Sequence, residues 1–254
     1  MAPISNSSAK KEEPTFTLLH GFTNTSATWG AVLPLLSQAY GVQALDLPGH
    51  GSSHSVRQNL VDYGRTLSQQ LTNETVLLGY SLGGRVALHC ALEQPRGLRA
   101  LVLIGATAGI DDPQERAARQ KSDVALAARL RASQDLEGFL DEWLAGPLFS
   151  RLTDEQQQRT GRLHNTIEGL ASSLERMGVG TQEPLWDRLH TISVPTLVLA
   201  GEYDEKFTAL GQRLAGAIHE GRFMSIAGAG HAVHLEQPEQ TAQVIVDFVR
   251  NVSN

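Results

Sequence analysis

The sequence contains very little cysteine: a single thiol, Cys90, stands among 254 residues. One thiol cannot form an intrachain disulfide, and this fits a reducing compartment such as the cytoplasm. Cys90 lies within an apolar helical run over residues 86–92. We therefore expect a buried small hydrophobe at this position rather than a nucleophile.

The sequence also lacks long apolar runs and dense basic clusters. No stretch approaches the ~20 apolar residues that a membrane helix needs, and the net charge is −6. Insertion into a membrane and binding to nucleic acid are therefore not expected. Residues 1–13 contain Ser and Lys but no apolar stretch, which predicts a flexible tail rather than a secretory signal.

Short runs rich in Val, Leu and Ile alternate with helical patterns along the chain. Such runs are typical of parallel strands buried on both faces, and their alternation with helices predicts a doubly wound α/β sheet. Strands are predicted at 15–20, 42–46, 75–80, 101–105, 196–201 and 222–227. Helices are predicted between them at 28–39, 59–71 and 82–93, and at the end of the chain at 239–252.

This alternation stops between residues 107 and 194, where the sequence shows no convincing strand. Helical patterns at 113–131, 135–144 and 153–177 occupy this interval, and Glu115 and Arg119 have the i,i+4 spacing of a helix-surface pair. We therefore predict a mostly parallel core formed by 14–106 and 195–254, with a helical cap inserted at 107–194.

Residues 79–83 read Gly-Tyr-Ser-Leu-Gly, a G-x-S-x-G pattern with Ser81 at its centre. The predicted strand TVLLGY precedes Ser81, and the helical run LGGRVALHCALE follows it. This context is that of a nucleophile elbow, in which a strained turn lifts the serine oxygen above the sheet. Gly79 and Gly83 are needed there because side chains would collide with the neighbouring strand or helix.

A serine hydroxyl needs an imidazole within hydrogen-bond reach and a carboxylate that fixes the imidazole tautomer. In a fold of this type the partners follow in the chain order serine, acid, histidine. Asp204 follows the predicted strand TLVLAG, and His231 follows the last predicted strand. Glu202 is the rival acid and His234 the rival base. No further ligands with metal spacing accompany the two histidines, which disfavours a metal site.

The oxyanion hole of such an elbow is formed by two backbone N–H groups. One belongs to the residue after the nucleophile and the other to the loop after the first strand. These positions are Leu82 and Phe22 in this sequence. His20, which begins the same loop, is interpreted as a structural histidine rather than a proton carrier.

Five segments together resemble the α/β-hydrolase superfamily over about residues 15–252. They read HGFTNTSATW, DLPGHGSS, GYSLGGR, GEYDEKF and GAGHAVHLEQP. Within the superfamily their combination is similar to the 2-succinyl-6-hydroxy-2,4-cyclohexadiene-1-carboxylate synthase (MenH) family of menaquinone biosynthesis. The resemblance implies a lyase that uses its triad to eliminate pyruvate from a succinyl-enolpyruvyl cyclohexene substrate, and it implies no cofactor.

The resemblance also implies which residues bind the substrate, namely Tyr80, Arg85, Arg119, Trp143, His164 and Lys206. Arg85 suits a carboxylate-bearing substrate, although a salt bridge to another element is the alternative. Each of three others also has an alternative role. For Arg119 it is an ion pair with Glu115 on the helix surface, for Trp143 a role in packing only, and for Lys206 that of an ordinary surface lysine. His164 stands where the family pattern has a second arginine, and Arg162 is the candidate substitute.

Three functions are compatible with these residues. The first is the pyruvate-eliminating lyase, and the second is a serine hydrolase of esters, thioesters or C–C bonds in a small acidic substrate. The third is a non-catalytic ligand receptor on the same fold. We expect a cytoplasmic protein, a monomer or small homo-oligomer, with a small anionic substrate and no nucleic-acid or membrane partner.

Overall fold

A sheet of six parallel strands forms the centre of the described part of the chain. The computed structural model describes residues 14–72 and 74–253, so the predicted tail at 1–13 lies outside the described residues. The strands are β1 (Thr15–Leu19), β2 (Gly41–Leu45), β3 (Thr75–Tyr80), β4 (Leu98–Ile104), β5 (Thr196–Gly201) and β6 (Gly221–Ile226). Their order across the sheet is β2-β1-β3-β4-β5-β6.

Helices cover both faces of this sheet. The α-helices of the described chain, those on the sheet together with those of the cap, are α1 (Leu33–Leu36), α2 (Leu60–Gln70), α3 (Leu82–Leu92), α4 (Pro113–Ser133), α5 (Leu136–Leu144), α6 (Arg159–Arg162), α7 (Ile167–Met177), α8 (Glu205–Ala217), α9 (Val233–Glu236) and α10 (Pro238–Ser253). Leu77 of β3 packs with α2, α3 and α8, whereas its neighbours Val76 and Leu78 pack with α1 and α10. Because successive residues of a strand point to opposite faces, the sheet is buried on both sides. The prediction of a doubly wound α/β fold is confirmed.

The helix predicted at 28–39 is wrong. The structure instead has a 3₁₀ turn at Ser26–Trp29, which ends at Gly30, followed by the short helix α1. Pro34 stands in the first turn of α1, where a residue without an N–H group is tolerated, and it cannot continue a helix from further upstream. The apolar spacing of this segment serves two short turns rather than one helix.

Four helices, α4 to α7, lie between β4 and β5 and form the cap. α4 begins at its N-cap Asp112, whose Oδ1 accepts hydrogen bonds from the backbone N–H groups of Gln114 and Glu115 at 2.8 Å. α4 packs against α7 through an apolar cluster that includes Leu130 and Leu174. The patterns at 153–177 form two helices rather than a continuous one. Gln158 adopts a left-handed conformation before α6, and Thr166 caps the start of α7.

The last part of the interval between β4 and β5 packs differently from the cap helices. Leu185, Trp186 and Leu189 belong to the apolar cluster between the sheet, α3 and α8, so residues from 185 onward form part of the core layer. Within the described ranges, none of the helices combines the length and the apolarity that crossing a membrane would require.

Candidate active site

Ser81 occupies a sharp turn between β3 and α3. Its backbone has φ 51° and ψ −106°, a combination that a non-glycine residue adopts at a cost in conformational energy. A Cβ atom at Gly79 would lie 2.4 Å from the carbonyl oxygen of Gly83, and one at Gly83 would lie 2.1 Å from that of Leu19. Only glycine therefore permits this approach of strand and helix, and the turn has the form of a nucleophile elbow.

The structure joins His231 to Asp204. The Nδ1 atom of His231 lies 2.7 Å from Oδ2 of Asp204, and both side chains are buried. Asp204 follows β5 as the N-cap of α8, and its Oδ1 accepts a hydrogen bond from the N–H of Phe207 at 3.2 Å. A carboxylate held in this way fixes the imidazole tautomer and leaves Nε2 free to accept a proton.

The loop that carries His231 is braced by a carboxylate which the sequence analysis did not single out. Glu236 accepts hydrogen bonds from the N–H groups of Gly230, at 2.7 Å, and Ala232, at 3.2 Å, one on each side of His231. The signal was present in the sequence as an acid five residues after the histidine. Its role becomes visible only when the chain turns back at α9.

The two rival residues have other surroundings. Glu202 accepts a hydrogen bond from the N–H of Gly228 at 2.8 Å in an exposed loop. His234 is completely buried between Trp29 and Tyr80, and among the described residues neither of its ring nitrogens has a hydrogen-bond partner. Burial lowers the pKa of His234 to about 3, so its ring is uncharged. The geometry favours Asp204 and His231 as the working pair.

A cavity of 680 Å³ separates the core from the cap, and Ser81 and His231 both line it. In the described part of the chain the imidazole is hydrogen-bonded to Asp204, and no hydrogen bond joins it to Ser81. Catalytic hydrogen bonds are often long in ligand-free enzymes and shorten in the substrate complex. The cavity therefore holds a nucleophile and a base on the same wall, where a reacting group could contact both.

Gly105, at the end of β4, makes room for the imidazole and was missed in the sequence analysis. Its φ is +54°, and a Cβ atom there would lie only 2.8 Å from Cε1 of His231. The available signal was a glycine directly after a buried strand. That signal carries no information about the histidine 126 positions later in the chain.

The predicted oxyanion residues also line the cavity. Leu82 is the first residue of α3, so its N–H has no partner within the helix. Phe22 lies in the loop after β1, and among the described residues no hydrogen bond uses either N–H group. His20 supports this loop: its Nε2 accepts from the N–H of Leu47 at 3.0 Å, and burial lowers its pKa to about 4. His20 is thus a neutral structural residue of the loop.

The cavity is also lined by the cationic side chains of Arg85, Arg119, Lys206 and Arg213. Arg85 is 9 % exposed, and its only hydrogen-bond partner among the described residues is Oε1 of Gln182, at 3.4 Å. No carboxylate in the described part of the chain forms an ion pair with it, so the alternative of a structural salt bridge does not apply. Burial lowers the pKa of Arg85 to about 9, which leaves the guanidinium charged at neutral pH.

Arg119 pairs with Asp123 rather than with Glu115, which sequence spacing had offered as its partner. Its Nε lies 2.8 Å from Oδ1 of the buried Asp123, and the pair lines the cavity. Asp123 was missed, although its i+4 position was a usable signal. Lys206 also lines the cavity, with Nζ 6.0 Å from the ring centre of Phe207.

Trp143 and Tyr80 form aromatic parts of the same wall. The ring of Trp143 lies 5.0 Å from that of Phe22 and 6.0 Å from that of Phe149, measured between ring centres. Tyr80 is buried beside His231, and burial raises the pKa of its hydroxyl above the usual range, which keeps it protonated. Trp143 therefore packs against Phe22 and also lines the cavity, and its contact with substrate stays a prediction.

The structure does not place His164, which was predicted to bind the substrate, in the cavity lining. Its side chain is exposed, lies outside the cavity lining, and has Nδ1 3.2 Å from the carbonyl oxygen of Gly161. Arg162 and Asn165 share the inward face of this turn because they are three residues apart, and His164 falls on the outer side. Arg162 does not replace it in the cavity lining. Its guanidinium donates instead to Gln157 and Thr23.

The described residues contain no group of three or more His, Cys, Asp or Glu side chains placed to hold a metal ion. Cys90 is buried in α3 away from the cavity lining, and burial raises the pKa of its thiol to about 12.

Comparison with known proteins agrees with this geometry. The model of the alpha/beta hydrolase family matches residues 18–244. A 2-succinyl-6-hydroxy-2,4-cyclohexadiene-1-carboxylate synthase of Salmonella typhimurium is 35 % identical over 246 residues, which cover 93 % of this chain and 94 % of that protein.

Two solved structures extend the comparison. MenH from S. aureus superimposes with a TM-score of 0.89 at 32 % identity, covering 97 % of each chain. A malate-bound thermophilic esterase from Thermogutta terrifontis does so with a TM-score of 0.80 at 26 % identity, covering 95 % of this chain and 91 % of the other. This chain belongs to the α/β-hydrolase family and, within it, to the family of 2-succinyl-6-hydroxy-2,4-cyclohexadiene-1-carboxylate synthases.

Proposed function

We propose that this enzyme eliminates pyruvate from 2-succinyl-5-enolpyruvyl-6-hydroxy-3-cyclohexene-1-carboxylate and releases 2-succinyl-6-hydroxy-2,4-cyclohexadiene-1-carboxylate, a step of menaquinone biosynthesis. The observation that carries the proposal is Arg85, a buried guanidinium without a carboxylate partner in the cavity of Ser81 and His231. Burial lowers the pKa of Arg85, and the nearby carboxylate of Asp123 opposes this effect but is paired with Arg119. The carboxylates of this substrate would supply the direct opposite charge that a buried guanidinium requires. The relatives named for this activity support the same conclusion.

The names of substrate and product define the electron flow. The substrate has one ring double bond at position 3, and the product has two, at positions 2 and 4. A base therefore removes the proton at ring carbon 2, the electron pair forms the new 2,3 double bond, and the existing double bond moves to position 4. The bond between ring carbon 5 and the enolpyruvyl oxygen breaks, and the departing enolate takes up a proton to become pyruvate.

The proton at ring carbon 2 lies next to the succinyl ketone, so its removal places negative charge on the ketone oxygen. Phe22 and Leu82 line the cavity, and their N–H groups would receive that oxygen. Ser81 would take up this proton while its own hydroxyl proton passes to Nε2 of His231, and Asp204 would stabilise the imidazolium that forms. The same residues that assist acyl transfer in hydrolases would here assist enolate formation.

The cationic residues would orient the substrate. Arg85 and Arg119 would bind carboxylates, and Lys206, which lines the same cavity, would bind a third anionic group. Trp143 and Tyr80 would pack against the ring. Orientation by several fixed contacts together with stabilisation of the enolate can supply most of the barrier reduction, since no covalent intermediate is needed.

The test is pyruvate release from the substrate generated in situ by the preceding enzyme, followed through lactate dehydrogenase. Arg85→Met should raise KM by about 10- to 100-fold, because a hydrogen bond between charged groups contributes roughly 1.5–3 kcal/mol. Arg250→Met, an exposed arginine on α10, is the matched control and should behave as the native enzyme. Release by the native enzyme no faster than spontaneous decay would overturn the proposal.

A serine hydrolase remains the second candidate because a 26 % identical esterase shares the fold and binds malate, a small dicarboxylate. The same triad would then form an acyl-enzyme at Ser81. Turnover of neutral aryl esters that is undiminished in Arg85→Met, together with absent pyruvate release, would select this candidate. Loss of pyruvate release in Arg85→Met would select the lyase.

We also propose that the enzyme is cytoplasmic, acts without a cofactor on a small anionic substrate, and has no nucleic-acid or membrane partner. The single buried thiol and the net charge of −6 support these points. Activity of the purified protein in buffer containing a chelator tests the absence of a metal requirement. Size-exclusion chromatography decides between a monomer and a small homo-oligomer.

A further inference from the structure

Thr23 directly follows Phe22, and its backbone N–H, its carbonyl oxygen and its side-chain oxygen all form hydrogen bonds. Its N–H donates to Nε2 of His50 at 3.3 Å, and its carbonyl oxygen accepts from Nδ2 of Asn165 at 2.7 Å. Its Oγ1 accepts a hydrogen bond from Nη1 of Arg162. Thr23 is completely buried and has φ +65°, a left-handed conformation that costs a β-branched residue roughly 1–2 kcal/mol. Such a conformation persists only where its surroundings hold it in place.

Two of these three contacts come from the cap. Arg162 ends α6 and Asn165 follows it within one turn, and both side chains are at least 95 % buried, with exposures of 1 % and 5 %. Asn165 also accepts a hydrogen bond from the N–H of Gly51 at 2.9 Å. The cap turn thus connects the loop after β1 to the loop after β2. Its two contacts to Thr23 join residues that are 139 and 142 positions apart in the sequence.

Arg162 also brings an uncompensated charge to this loop. Among the described residues no carboxylate pairs with it, and its guanidinium donates to an uncharged hydroxyl and to the carbonyl oxygen of Gln157 at 2.7 Å. Burial lowers the pKa of Arg162 to about 10, which leaves it charged at neutral pH. Burial has the larger effect on the pKa values of His20 and Tyr80, and the charge of Arg162 further lowers the first and opposes the rise of the second.

We propose that Arg162 and Asn165 are positioning residues that hold the N–H of Phe22 in the oxyanion hole, so that the cap sets the geometry of a catalytic loop in the core. The proposal rests on the function proposed above for that N–H group. Neither side chain needs to contact the substrate. Both act through Thr23, whose backbone continues directly from Phe22.

The proposal predicts an effect on turnover rather than on substrate affinity. Loss of one oxyanion donor typically costs 10²- to 10³-fold in kcat, and a displaced donor retains part of its effect, so about 10- to 100-fold is expected. Arg162→Met removes the charge and the donor, Thr23→Val removes the acceptor at almost constant shape, and Asn165→Leu releases the Thr23 carbonyl. Each should lower kcat for pyruvate release while KM stays within about twofold.

The experiment combines pyruvate release with the rate at which a fluorophosphonate labels Ser81, since labelling also needs the oxyanion hole but not the natural substrate. Arg162→Lys, which keeps the charge, should recover part of both rates. Arg162→Met and Thr23→Val together should be little slower than either alone, because both break the same contact. Arg159→Met on the same short helix, which loses only the surface pairs with Asp141 and Glu137, is the control and should match the native protein.

Native kcat and native labelling rate in a folded Arg162→Met protein would overturn the proposal. A rise in KM alone would also overturn it, because Arg162 would then contact the substrate. If Arg162→Met does not fold, Thr23→Val and Asn165→Leu decide by the same two rates. If the native protein is labelled but releases no pyruvate, the proposed reaction fails, and the labelling rates of the variants still decide whether the cap positions the loop.

Discussion

The contact between Gly105 and His231 allows the importance of imidazole position to be tested with a single methyl group. In Gly105→Ala the new Cβ would lie 2.8 Å from Cε1 of His231, whereas ordinary contacts begin at 3.4 Å. The ring must therefore retreat by about 0.6–1 Å to reach a favourable carbon–carbon separation. Its Nδ1 is tied to Asp204 at 2.7 Å, so the retreat tilts Nε2 away from Ser81.

The size of both effects follows from the structure. A displacement near 1 Å in a catalytic group costs about 10²-fold in rate, so we expect kcat for pyruvate release to fall by roughly that factor. Alanine at φ +54° costs about 1–2 kcal/mol of stability. This is a minor part of the stability of roughly 5–15 kcal/mol that domains possess, so the variant should fold.

Gly216→Ala is the matched control, because a Cβ there has no heavy atom within 4 Å. It adds the same methyl group in α8 and should stabilise the helix by about 0.5–1 kcal/mol without changing kcat. Pyruvate release, fluorophosphonate labelling and urea unfolding are measured on both variants. Native kcat and labelling in a folded Gly105→Ala protein would show that the position of the imidazole does not limit the reaction.

Two further predictions concern the titratable residues of the site. Asp204→Asn should lower kcat for pyruvate release by about 10³- to 10⁴-fold, because an amide favours the wrong imidazole tautomer. The control Glu202→Gln should leave kcat within about twofold of the native value. Equal losses in the two variants would refute the assignment of Asp204 as the partner of His231. The buried rings of His20 and His50 have pKa values lowered to about 4 and about 3 by burial, below the unfolded value near 6.5. Below pH 6.5 the unfolded chain therefore binds more protons than the folded protein. The free energy of unfolding should fall as the pH drops towards 4, by up to about 1.4 kcal/mol per pH unit for each of the two histidines. His50→Gln should flatten this dependence in urea unfolding, and an unchanged slope would contradict the argument.

The sequence predicted the nucleophile elbow because all its determinants are local. A buried strand, two glycines around Ser81 and a helix lie within about 20 consecutive residues, and each of them constrains the same turn. The strands were predicted for the same reason, since short apolar runs between turn residues have few other stable arrangements. The error at 28–39 shows the limit of periodicity, which cannot tell one helix from two short turns when Pro34 interrupts the pattern.

The cap was predicted as helical, but the direction of its side chains was not. Whether His164 or Arg162 faces inward depends on how one short turn packs on the loops after β1 and β2, more than 100 residues earlier. The partner of Arg119 was open for a similar reason. Glu115 and Asp123 are both four residues from Arg119 along α4, and only the folded structure shows that Asp123 is the buried one that pairs with it.

The sequence by itself determined which chemical groups form the site and which predicted strand each of them follows. These features depend only on short segments and on the rules of parallel sheets. Only the tertiary structure decided which groups meet: Asp204 rather than Glu202 at His231, Gly105 beneath the imidazole, and Arg162 on Thr23. The physical reason is that such contacts join residues far apart in the chain, and their geometry follows from the packing of whole elements rather than from local preference.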